Sequence, residues 1–75
     1  MDTIKSSVEL QPHQQRVVTE RDDLNIKINA LDGFIKGSLI FHNLPKDEQA
    51  LLKRQCEVMK EYSDILQSRI NAFIA

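Results

Sequence analysis

Pro45 interrupts a chain that is otherwise patterned for helix. The stretch around it reads FHNLPKDEQ. A proline fixes its own backbone and disfavours helix at the residue before it, here Leu44. It suits the first turn of a helix, where its missing N–H costs nothing. Asp47 and Glu48 follow, and carboxylates favour the positive end of a helix. A helix is therefore expected from about residue 45 to 73. Its apolar stripe is Leu52, Met59, Tyr62, Leu66, Ile70 and Phe73, with Leu51, Val58 and Ile65 as a second row. Together the rows form a face wide enough for more than one partner helix.

Upstream, Val17, Leu24, Ile28, Leu31 and Ile35 recur in steps of seven, four, three and four. That spacing is one stripe of a helix. It predicts a helix over residues 12–36, with Pro12 in its first turn and Gly37 closing it in a left-handed cap. Gln11 is a poor residue to cap the start. Residues 37–44 form a short apolar connector that closes one end of the core. Ser38 can cap one helical turn there and bring Leu39 or Phe41 onto the core. Residues 1–11 read as a loosely ordered arm, or one that packs on a neighbour.

The expected fold is all-α. Residues 12–75 form one antiparallel two-helix hairpin. A 75-residue chain buries a small core, and small folds compensate with disulfides, metals or oligomerisation. A single cysteine, Cys56, excludes an internal disulfide, and two histidines, His13 and His42, are too few and too far apart for a closed zinc site. Self-association into a helical bundle is the remaining route. Its interface is expected on Leu24, Ile28, Leu31, Ile35, Leu52, Met59, Leu66, Ile70 and Phe73.

The formal net charge is −1, from ten bases and eleven acids. Through Gly37 there are five basic and six acidic residues, and five of each after it. No broad basic field draws a nucleic-acid backbone. No apolar run approaches the ~20 residues that span a bilayer, and the N-terminus has no hydrophobic signal core. The expectation is a soluble protein of the cytoplasm with a reduced thiol.

No cluster of residues specifies a reaction. Cys56 lies between the apolar rows and reads as a small core residue, with no Cys-His motif beside it. Glu57 and Glu61 alternate with Lys53, Arg54 and Lys60, the pattern of a solvated ion-pair face. There is no glycine-rich phosphate loop and no motif of a hydrolase or zinc protease. The chain is expected not to be an enzyme and to need no cofactor or metal. Its candidate ligand- or partner-binding residues are Arg16, Arg21, Lys53, Arg54, Lys60 and Tyr62. In an oligomer these bases would hold an anionic ligand while the tyrosine stacks on a ring. Ordinary surface charge and a tyrosine at the core edge are the plain alternative.

Phe34-Ile35, Ser38, Phe41, Leu44-Pro45, Glu48-Gln49, Leu52, Gln55, Met59, Tyr62, Leu66 and Arg69-Ile70 form a familiar series, and Pro12 to Val17 fit it too. The series resembles a family of small proteins encoded by tailed phages and prophages, named after a protein of a crAss-like phage. The resemblance spans residues 12–73 and carries no functional site across. It implies a phage accessory protein acting in the bacterial host cytoplasm, antagonising host defence by sequestering a cyclic nucleotide or occupying a defence protein. The alternative is a structural or assembly bundle with no small ligand.

Overall fold

A computed structural model describes residues 9–74. Of the arm expected over residues 1–11, all but residues 9–11 lie outside the described residues. The described chain holds three helices and no strand: α1 (Pro12–Gly37), α2 (Leu39–His42) and α3 (Lys46–Ile74). The long helices α1 and α3 pack together in an elongated body of 54 × 21 × 17 Å.

Cross-links between α1 and α3 establish that they run antiparallel. Arg21 Nη1 donates to Gln67 Oε1 at 2.8 Å, and Ser63 Oγ donates to Asn25 Oδ1 at 2.7 Å. Lys60 Nζ lies 3.5 Å from Asp32 Oδ1. Partners on α3 descend in number as those on α1 rise. Lys36, one turn beyond Asp32, holds the same carboxylate at 3.0 Å. The Lys36 hydrogen bond, with the charges of Lys36 and Lys60, places the Asp32 carboxyl below its ordinary pKa despite some opposing desolvation.

The start of α1 is secured through the backbone of Gln11, although its side chain is a weak cap. The Gln11 carbonyl accepts from the Gln14 and Gln15 amides, both at 2.9 Å, and its N–H donates to Gln14 Oε1 at 2.9 Å. Pro12, in the first turn, has no donor to leave unpaired.

The end of α1 departs from expectation. No glycine among the described residues has a positive φ, so Gly37 makes no left-handed cap. Ser38 ends the helix in extended backbone, at φ −93° and ψ 130°. The same residue starts α2, its Oγ accepting from the Ile40 amide at 3.1 Å. One extended residue between two helices serves as both caps, which leaves no place for a left-handed turn. Gly33 and Gly37 also face open space, so they allow no close helix approach here.

Of the two connector residues expected to reach the core, Phe41 does so and Leu39 does not. Phe41 is 1% exposed and meets the Phe34 ring edge-on, with centroids 5.9 Å apart. Buried Gln49 ties the connector to α3. Its Nε2 donates to the carbonyls of His42 (3.2 Å) and Leu44 (2.9 Å). These carbonyls precede Pro45, which has no N–H to offer. Gln49→Leu keeps the packing and deletes both bonds. It is expected to lower stability by about 1–3 kcal/mol in urea denaturation. A variant as stable as the parent would contradict this clamp.

Val17, Leu66 and Ile70 form the central cluster, with Val18, Leu24 and Phe73 packed against it. Ile28 and Cys56 are also buried. Three residues expected at the oligomer interface are buried in the single chain. Ile28, Leu66 and Ile70 are enclosed within one chain, because the main stripes of α1 and α3 meet each other. Leu24, Leu31, Ile35, Leu52, Met59 and Phe73 are half-buried along the same seam. The second row of α3 stays outside, with Leu51, Val58 and Ile65 exposed.

Candidate functional site

An open groove of about 700 Å³ runs along one flank of α1. Pro12, Gln15, Arg16, Thr19, Glu20, Asp23, Leu24 and Lys27 line it from α1, and Tyr62 reaches it from α3. The α1 residues recur at three- and four-residue intervals, so helical geometry alone aligns them on one side. Antiparallel packing then brings Tyr62 alongside. The volume falls within the range of small-molecule sites, roughly 300–1,000 Å³.

The lining divides by chemistry. Pro12, Leu24 and Tyr62 present apolar surface, and the tyrosine ring is 40% exposed. Arg16 and Lys27 offer cationic donors. Glu20 and Asp23 offer carboxylate acceptors, while Gln15 and Thr19 can donate or accept. The side-chain charges of the lining balance. Such a groove suits a ligand with a flat ring, an anionic group and hydroxyl donors better than a bare anion.

The six sequence-derived candidates do not converge. Only Arg16 and Tyr62 line the groove. Arg21 is bound across the hairpin to Gln67 and pairs with Asp22 at 2.9 Å. Lys60 faces Asp32. Arg54 lies 3.4 Å from Glu57 in an exposed pair on α3, and Lys53 is exposed outside the groove lining. Lys27, Glu20, Asp23, Gln15 and Thr19 escape a reading of the sequence. Their spacing marks one polar face of α1, but so does the spacing of any solvated helix face. Only the position of Tyr62 distinguishes it.

Cys56 is buried and unpaired. Among the described residues no group of three or more His, Cys, Asp or Glu side chains is placed to hold a metal ion. No described helix is long and apolar enough to cross a membrane.

A ligand-sized groove on a two-helix hairpin defines a small all-helical protein with a surface suited to binding. Comparison with known proteins gives the family. The chain matches Sequestin over residues 11–72 and belongs to the Sequestin family. It is 43% identical over 61 residues to an uncharacterized 7.5 kDa protein of the denB-rIIB intergenic region of Enterobacteria phage T4. That match covers 81% of this chain and 94% of the relative. No solved structure matches. The resemblance to small phage proteins is therefore supported, whereas none of these matches carries the crAss-like origin.

Proposed function

We propose that this chain is a non-enzymatic phage accessory protein that sequesters a nucleotide signal in the α1 groove and so antagonises host defence in the bacterial cytoplasm. The observation that carries this reading is the composition of the groove. A base would stack on Tyr62 and Leu24, a phosphate would meet Arg16 and Lys27, and ribose hydroxyls would donate to Glu20 and Asp23. The Sequestin family name and the phage relative support it. Cyclic nucleotides are the ligand class proposed, and no cofactor or metal takes part.

Calorimetric titration with cyclic nucleotides tests the assignment. Arg16→Ala and Tyr62→Ala are each expected to weaken binding by about tenfold or more. Arg21→Ala, outside the groove, is expected to leave affinity within about threefold. Equal affinity in all three variants would remove the groove from the proposal.

A second reading, a bundle module that assembles with protein, is favoured by the exposed row Leu51, Val58 and Ile65 on α3. It predicts protein contacts and no nucleotide uptake.

A further inference from the structure

We propose that two copies of this chain pair antiparallel through α3 along Leu51, Val58 and Ile65, and that the second copy supplies the far wall of the groove beside Tyr62. The pairing itself does not rest on a nucleotide binding there; the far wall deepens that reading.

Leu51, Val58 and Ile65 recur every seven residues and are 65%, 44% and 58% exposed. A seven-residue apolar repeat is the seam that helices bury against one another. Beside Ile65 lies a shallow depression of about 450 Å³, also lined by Asp64, Ser68, Arg69 and Ala72. With a two-fold axis at Val58, Leu51 of the second copy stands level with Ile65 and enters this depression. The relation is reciprocal, as a symmetric interface requires.

Charge selects the direction. In the antiparallel arrangement Arg54 of each copy lies within one residue of level with Glu61 of the other, on the same edge of the seam. Asp47 stands opposite Arg69. A parallel pair would put Arg54 beside Arg54 and Glu61 beside Glu61, so like charges would meet. Arg54 is free to make the exchange, since its contact with Glu57 is long and exposed.

The pairing also meets the groove. Tyr62 sits one helical turn from both Val58 and Ile65 along the row, and it is the α3 residue lining the groove. The seam and the groove are therefore neighbours on one side of the hairpin. In one chain that groove is open, walled by α1 and, from α3, by Tyr62 alone. The antiparallel second copy brings its own α3 against the open edge, with Gln55 one residue from level with Tyr62. The groove is incomplete without it.

Sedimentation equilibrium without nucleotide tests the pairing, over about 1–100 μM chain. A dimer is expected. Arg54→Glu and Glu61→Arg should each weaken it by about tenfold or more, and the double variant should recover to within about threefold. Circular dichroism should show the helix content of the parent, since both positions are exposed. As a check independent of charge, Val58→Cys with Cys56→Ser should form a disulfide between copies on mild oxidation. A monomer throughout this range, or a double variant as weak as the single ones, would overturn the proposal, as would failure of the position-58 cross-link. No readout involves nucleotide, so loss of pairing and loss of nucleotide binding are separately visible.

Discussion

Replacing Leu66 with alanine should lower the stability of the hairpin by about 2–5 kcal/mol. Leu66 is completely enclosed, in a cluster with Val17 and Ile70. Two helices meet along a single seam, so there is no second layer to close the cavity left behind. A chain of this length is held by roughly 4–11 kcal/mol in all, taking about 0.05–0.15 kcal/mol per residue. The substitution therefore removes a large share of that stability. Urea denaturation at fixed chain concentration checks the effect. Lys53→Ala, at an exposed position outside every ion pair described, should stay within about 0.5 kcal/mol of the parent. A Leu66→Ala variant that lost no more than this control would contradict the packing described here.

Phe41→Ala should have a comparable effect, about 3–5 kcal/mol, for a different reason. Phe41 closes the end of the hairpin where α1 turns into α3. It is 1% exposed and meets Phe34 edge-to-face. The connector has little else to hold it beyond Ser38 and Gln49. Loss of the ring should release the connector before the long helices separate. Amide exchange distinguishes this from global unfolding. The Asn43 and Leu44 amides, bonded to connector carbonyls at 3.1 Å, should lose protection first. Uniform loss along α1 and α3 would show that Phe41 has no special hold on the turn.

Both predictions fall on residues whose importance is partly legible in sequence. The helical steps of Val17, Leu24, Ile28, Leu66 and Ile70 define which faces are apolar, and Pro45 with Asp47 and Glu48 marks the break between helices. Periodicity does not say which apolar row is consumed inside the chain and which is left outside. That depends on the rotation of α3 about its own axis, a tertiary quantity. Hence Leu66 and Ile70 read as intermolecular contacts, whereas Leu51, Val58 and Ile65 are the exposed row. The left-handed cap at Gly37 follows a general preference of helix ends. Local demand overrides it, because Ser38 must start α2 immediately.

The groove was the least legible feature. The sequence singles out Arg16 and Tyr62 by chemistry alone, and nothing in it places them on one groove. Their juxtaposition follows from antiparallel register, which the Arg21–Gln67 and Asn25–Ser63 bonds fix. The same register carries Arg21 and Lys60 to other partners. Charged residues on a helix look alike until the neighbouring helix decides which of them are already engaged.

The most direct test of sequestration is native mass spectrometry of the purified protein with a panel of cyclic nucleotides, beside the Tyr62→Ala variant. The parent is expected to gain whole nucleotide masses, and the variant to gain far less at the same ligand concentration. A folded parent that takes up no nucleotide would contradict sequestration and leave the α3 row as a surface for protein.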